Sequence, residues 1–315
     1  MLKRFTLLIL ATTVTFSLSA QEKISKSFKG IKEIKLSTGS GDCSVVKGKG
    51  QDISVDLTYT YDEDNYTPVL EQEGDVLVLK DKFKNNRSGS GYSKWQLAIP
   101  DNIELKYNSG SGNLKIDGVA IELTSNSGSG DIEATNLTGE FTSNSGSGEV
   151  SIEGYKGQLQ INTGSGDIEI ANGSGSFKIN LGSGDIDVEN ITGGVKFNAG
   201  SGDISVDNAV ITEASSMNSG SGDAKLTLKS DLQAGLSINS GSGDATLDFN
   251  GLSVQGDFTM KTNKKNGEIS APFEFDEVTE EGQGNQTMIT KKAKVGASTV
   301  KINISSGSGR ASVEK

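Results

Sequence analysis

The tripeptide Gly-Ser-Gly recurs with its first glycine at residues 110, 128, 146, 164, 182 and 200, a fixed step of 18 residues. Two more copies begin at Gly220 and Gly241, after steps of 20 and 21, and others at Gly39, Gly89 and Gly307. A fixed short period is the mark of a solenoid, whose units bury their apolar faces only by stacking on one another. A flexible Gly/Ser linker is excluded, because each copy is followed by apolar residues in alternation.

Taking the residue after Gly-Ser-Gly as position zero, positions +1 and +3 are Ile132/Ala134, Val150/Ile152, Ile168/Ile170, Ile186/Val188 and Ile204/Val206. Positions +10 and +12 are Leu159/Ile161, Phe177/Ile179 and Val195/Phe197. A period of two is strand periodicity. Asn136-Leu137-Thr138-Gly139 and Asn190-Ile191-Thr192-Gly193 sit between the two arms as turns. Each repeat therefore reads as strand, turn, strand, glycine-rich turn. The expected fold is all-β: a single-stranded parallel β-solenoid, or β-helix, with about 18 residues per rung, spaced at about 4.8 Å. The general preference for right-handed parallel crossovers makes a right-handed winding the expectation.

A second column shares this register. Five residues before each position zero stand Asn108, Asn126, Asn144, Asn162, Asn180, Asn198, Asn218 and Asn239, and Asn263 holds the same place before Gly267-Glu268-Ile269. Stacked asparagines can donate and accept along a column, so these eight are expected to form a structural ladder, aimed into the turn.

Position zero itself is Asp131, Glu149, Asp167, Asp185, Asp203, Asp223 and Asp244. Two carboxylates one rung apart repel by roughly 1 kcal/mol in water and about 3.5 kcal/mol at an effective dielectric of 20. Amides and hydroxyls of the glycine-rich turn could offset this. Bound calcium on Asp167, Asp185, Asp203, Asp223 and Asp244 is the other reading, as in calcium-binding β-rolls, although those have a nine-residue period and a different glycine spacing.

The chain has 41 Gly and only 3 Pro among 315 residues, no His and 1 Cys. Few prolines suit long hydrogen-bonded sheets. The absence of His removes Ser-His-Asp and Cys-His catalysis, and one thiol cannot form a thiolate metal cluster. With 30 Lys+Arg against 41 Asp+Glu the net charge is −11, which repels nucleic acid. The same charge repels acidic polysaccharides, and the carboxylates repeat with no rung singled out. These points weigh against the main enzymatic alternative, a β-helix that degrades polysaccharides. No cofactor is expected.

Lys3 and Arg4, an apolar stretch from Phe5 to Phe16 and then Ser17-Leu18-Ser19-Ala20 read as a signal peptide. The organisation expected is 1–20 signal peptide, 21–107 N-terminal irregular solenoid or cap, 108–249 regular repeats and 250–315 C-terminal irregular solenoid or cap. No later segment is apolar enough to span a membrane. Tyr61 to Tyr66 and Lys84 to Tyr92 read as loops, and Glu277 to Gln286 as an acidic insertion. Tyr59, Tyr61, Tyr66, Tyr92 and Trp95 gather in the N-terminal third, as a ligand-contacting region or as core. Cys43 takes a +1 position, so it is expected inside, as a reduced and packed side chain.

Three segments carry a resemblance: Ile34-Lys35-Leu36-Ser37-Thr38-Gly39-Ser40-Gly41-Asp42, then Trp95-Gln96-Leu97-Ala98-Ile99-Pro100, then the repeated Ser-Gly-Ser-Gly-Asp-Ile. Together they resemble a bacterial adhesin family of β-strand-repeat domains. That family is similar to the head GIN domain family, described as auto-transporter adhesin-like. The resemblance implies a β-solenoid of the bacterial envelope, in the periplasm, on the cell surface or secreted. It agrees with a non-enzymatic adhesin-like or structural binding role; the sequence does not identify the partner, and an envelope glycan and a surface protein both stay open.

Overall fold

The computed structural model describes residues 21–84 and 90–315. The expected signal peptide and the Gly89 copy of the motif lie outside the described residues. The described chain is all-β: 25 strands join one continuous sheet, and a single 3-10 turn, Gly284–Gln286, interrupts it. Among the described residues no helix is long and apolar enough to cross a membrane.

The centre of the molecule is a parallel stack. Ile132–Ser147, Val150–Ser165, Ile168–Ser183 and Ile186–Ser201 are 16-residue strands that bend once at the mid-rung turn. They pair in parallel at an offset of one repeat, so that Ile132 faces Val150, Val150 faces Ile168 and Ile168 faces Ile186. The fold is an open β-solenoid, as the 18-residue period requires.

The inward column +1/+3 of one arm meets the inward column +10/+12 of the other, and both are buried along the whole stack. Side-chain volume is exchanged within a rung. Where the turn holds Gly173 in place of Leu137, Tyr155 or Ile191, a β-carbon on it would stand 2.8 Å from the Phe177 ring, so that ring fills the space. The mid-rung turn needs a left-handed residue, supplied by Asn136, Asn172, Asn190 and Asn208 at φ 53 to 57° and by Gly154 at 72°. Asparagine tolerates that region better than other non-glycine residues. Three residues later a β-carbon on Gly157 would lie 1.9 Å from the Gly139 carbonyl oxygen of the rung below. Rung spacing therefore dictates glycine there.

The two ends depart from chain order. The arms of the Gly39 copy, Glu33–Thr38 and Asp42–Lys47, lie between two later rungs. On one side Leu36 faces Tyr107 and Cys43 faces Leu114, while on the other Leu36 faces Leu79 and Cys43 faces Trp95. The C-terminal arms, Lys301–Ser306 and Arg310–Glu314, are likewise inserted. Ile302 faces Leu236 on one side and Phe258 on the other. Each terminal copy of Gly-Ser-Gly thus completes a regular rung, and the segment between it and the central repeats forms the outer rung and the cap.

The caps are antiparallel. Tyr66–Glu73 closes one arm of the N-terminal end against Val76–Phe83, and Glu22–Phe28 lies against Ile53–Tyr59 on the other arm. At the far end Glu277–Glu281 pairs with Met288–Val295. The acidic segment after Glu277 is therefore a strand at its start, where the sequence suggested an insertion. Pro68 in one edge strand and Glu277, Glu280 and Glu281 in the other discourage further strand addition.

Candidate functional site

The asparagine column forms a continuous ladder of side-chain hydrogen bonds. Asn126 Nδ2 donates to Asn108 Oδ1 at 3.1 Å, Asn144 to Asn126 at 3.1 Å and Asn162 to Asn144 at 3.0 Å. Asn180 donates to Asn162 at 2.8 Å, Asn198 to Asn180 at 2.9 Å, Asn218 to Asn198 at 2.9 Å and Asn239 to Asn218 at 2.8 Å. The series does not continue to Asn263. The inserted C-terminal rung places Ser305 there, and its hydroxyl donates to Asn239 Oδ1 at 2.7 Å. The side chains also stand on the outer face, exposed or half-buried, and do not turn inward as the sequence suggested. Strand alternation explains this, because the residues on either side, such as Ile179 and Leu181 around Asn180, already occupy the interior.

The carboxylate column forms a ladder of another kind. Oδ1 of Asp131 accepts the Glu149 amide at 3.0 Å, that of Asp167 the Asp185 amide at 3.0 Å and that of Asp185 the Asp203 amide at 2.8 Å. Asp203 accepts the Asp223 amide at 2.8 Å, Asp223 the Asp244 amide at 2.7 Å and Asp244 the Arg310 amide at 2.7 Å. The donor is the position-zero amide of the next rung, and this charge-assisted bond offsets the repulsion between rungs. Among the described residues no three acidic, His or Cys side chains converge as a metal-holding group.

Each face of the stack has its own chemistry. Beyond the aspartate column, Glu153, Glu169, Asp187, Glu189 and Asp207 line a shallow groove of about 300 Å³ with Ser151 and Ser205, and no Lys or Arg lines it. There the Asp187 carboxyl is raised above the usual carboxylate range, first by burial and then by Asp185, Glu169, Asp167 and Asp207 around it. The asparagine face holds a groove of about 720 Å³. Asn144, Asn162, Asn180, Asn198 and Asn218 form one wall, and Gly164, Gly182, Gly200 and Gly220 the other. Thr163, Leu181, Ala199 and Ser219 lie between the two, buried and at inward parity. The sequence reading did not single out Leu181 and Ala199. Their signal is a break in the repeat, since the other rungs carry a hydroxyl just before Gly-Ser-Gly.

The aromatic cluster is core. Tyr59, Tyr61, Tyr66 and Trp95 are buried and only Tyr92 is exposed. Around them lies a buried carboxylate that the sequence did not reveal. Asp81 accepts from the hydroxyls of Thr38, Tyr66 and Ser93, each at 2.6 Å, and from Trp95 Nε1 at 3.2 Å. It ties the inserted first rung to the cap. Cys43 is a free thiol, 2 % exposed, and burial followed by the neighbouring Asp42 charge pushes its pKa up.

Fold and faces together define a two-sided β-solenoid with an amide face and a carboxylate face. Residues 31–255 match the family described as Toastrack DUF4097, and the chain belongs to that family. No curated protein matches it in sequence. Among solved structures it is similar to a proposed adhesin from Parabacteroides distasonis, with 16 % identity and a TM-score of 0.44 over 70 % of this chain and 94 % of that one. A proposed lipid-binding protein from the same organism aligns with 14 % identity and a TM-score of 0.41, over 95 % of this chain and 98 % of that one. A proposed cell adhesion protein from Clostridium sporogenes aligns with 14 % identity and a TM-score of 0.21, over 94 % and 99 % of the two chains.

Proposed function

We propose that this Toastrack chain is a non-enzymatic, adhesin-like binding module of the bacterial envelope, exported by residues 1–20. The asparagine ladder carries the reading. It presents amides held in fixed orientation along one face, beside a long open groove. Preorganised polar groups lower the ordering cost of binding, and repeated weak contacts along a rod add up. Family membership and the adhesin resemblance agree with this role.

Cell fractionation combined with capture from envelope fractions tests it. The tagged mature chain is expected in the periplasmic or surface fraction, and as bait it should enrich an envelope glycan or surface protein. Cytoplasmic retention, or no enrichment over an unrelated acidic solenoid, would contradict the proposal.

A further inference from the structure

We propose that the two ends of the solenoid are mates: copies of this chain join head to tail, the inner face of Glu22–Phe28 in one copy closing on the inner face of Glu277–Glu281 in the next. This self-assembly does not rest on the binding-module reading.

The two arms of the solenoid end at different levels. At the N-terminal end the asparagine arm runs outward from Ile103–Ser109 through Glu33–Thr38 and Val76–Phe83 to Tyr66–Glu73, where it stops. The aspartate arm runs from Leu114–Asp117 through Asp42–Lys47, Ser93–Ile99 and Ile53–Tyr59, then adds Glu22–Phe28. It therefore stands one strand taller. At the C-terminal end the asparagine arm is the taller. It runs from Lys301–Ser306 through Gly256–Asn263 and Met288–Val295 to Glu277–Glu281, whereas the aspartate arm stops at Glu268–Ser270. Phe273 and Phe275 fill part of that step: the Phe273 ring lies 4.7 Å from Phe258 and 5.4 Å from Phe275, over which Lys291 Nζ stands at 5.1 Å. Among the described residues no strand faces Glu277–Glu281 across the step. The surplus strand at one end thus matches the missing strand at the other, on opposite arms, as in a lap joint.

Register shows which side chains face the joint, because cross-strand partners share a face. Val278 pairs with Lys291, Lys291 with Met260 and Met260 with Ile304, and the last two are buried. Glu280 pairs with Ile289, and Ile289 with the buried Thr262. Val278 and Glu280 thus have the core's parity, yet Val278 is 55 % exposed, the most exposed large apolar side chain among the described residues. At the other end Ile24 pairs with Leu57, Lys26 with Val55 and Phe28 with Ile53, and all three partners are buried. Ile24 and Phe28 are half-buried and Lys26 is exposed, at a level that no opposite strand covers. Closing the joint removes Val278, Ile24 and Phe28 from water. Packing face on face forms no new strand pair, so Pro68 and the edge glutamates do not oppose it.

Charge makes the two ends unlike. Glu22–Phe28 carries Lys23 and Lys26 against Glu22, and Lys29 follows, whereas Glu277–Glu281 carries three glutamates and no lysine. Lys26 joins no ion pair among the described residues, and Glu280 has an exposed one with Lys264 at 2.7 Å. Head-to-tail contact brings Lys26 and Glu280 into one gap, while contact between like ends would oppose two lysines or two glutamates. A joint between unlike surfaces leaves an open end on each side and propagates. The net charge of −11 is spread along the rod, and screening over about 8 Å at physiological ionic strength confines repulsion between copies to their ends. The mating faces are small, so the joint belongs with weak contacts that bury less than about 1,200 Å².

Sedimentation velocity of the mature chain, residues 21–315, at rising concentration up to about 1 mM tests the joint. Wild type is expected to sediment faster as concentration rises, with no plateau at a dimer. Lys26→Glu, Glu280→Lys and Val278→Asp should each associate at least about tenfold more weakly, with unchanged melting temperatures. Lys26→Glu and Glu280→Lys mixed in equal amounts should regain wild-type association, because the changed end of one meets the changed end of the other with opposite charge restored. Glu169→Gln, midway along the rod, should behave as wild type. Wild type that stays monomeric at about 1 mM would overturn the proposal. So would association that stops at a dimer, single end variants that associate as wild type does, or a mixture that does not recover.

Discussion

Asn180 sits between two identical residues, donating its Nδ2 to Asn162 Oδ1 at 2.8 Å and receiving Asn198 Nδ2 at 2.9 Å. Both bonds lie on the outer face, where water competes for them. Asn180→Leu removes both and leaves two half-exposed amides for water to satisfy. The expected cost is about 1 kcal/mol, near the net worth of one ordinary hydrogen bond. Urea unfolding measures it. A cost above about 3 kcal/mol, the range for a stranded buried group, would mean that the ladder is not solvated.

Ser125 and Ser143 face the interior on adjacent rungs, fully buried, and neither Oγ has a hydrogen-bond partner. They lie between Tyr107 on one side and Ile161 on the other. Ser125→Ala or Ser143→Ala removes an unsatisfied hydroxyl and is expected to stabilise the fold by about 1 kcal/mol. Thermal unfolding reports the sign. Destabilisation would show that the two hydroxyls share an ordered water.

Such exceptions bear on what the sequence could reveal. The period of 18, the inward columns and the asparagine column were all legible, because each follows from spacing alone. The spatial order of the end rungs was not legible. Gly39 and Gly307 carry the same motif as the central copies, and no local pattern says that a chain returns past its own neighbour. The outward direction of the asparagines was open to reading, since Leu181 and Ile179 flank Asn180 at inward parity. Asp81 was hidden because its partners Thr38, Tyr66, Ser93 and Trp95 come from separate strands.

Asp187 gives a pH signature. Its folded pKa is raised by burial and by the acids around it, above the unfolded value. Between those two values the folded state holds more protons, so stability falls as pH rises through that window. Below the unfolded pKa the penalty is absent, and above the folded pKa it is complete. Asp187→Asn is therefore expected to be more stable than wild type at neutral pH, with the difference vanishing in acid. A difference that grows on acidification would contradict this.

The aspartate column is expected to be indifferent to calcium. Oδ1 of Asp167, Asp185, Asp203, Asp223 and Asp244 already accepts an amide of the next rung. Melting after chelation and again with millimolar Ca²⁺ should give the same midpoint. A midpoint that climbs steadily with Ca²⁺ would show binding to the folded state by mass action, and would make these carboxylates a metal site.

The most direct test concerns the stacking order. Asn239 and Ser305 are paired across adjacent parallel strands, while Asn263 lies on a strand one rung further out. Adjacent in-register α-carbons fall within the roughly 4.4–6.8 Å that a disulfide spans, and a residue two rungs away lies at about 10 Å, beyond reach. In a Cys43→Ala background, Asn239→Cys/Ser305→Cys is expected to form an intramolecular disulfide on mild oxidation, and Asn239→Cys/Asn263→Cys is not. Mass spectrometry of peptides from the oxidised protein reads the outcome. A disulfide in the second variant and none in the first would show that the rungs stack in chain order, and would contradict the inserted C-terminal rung on which this account of the fold depends.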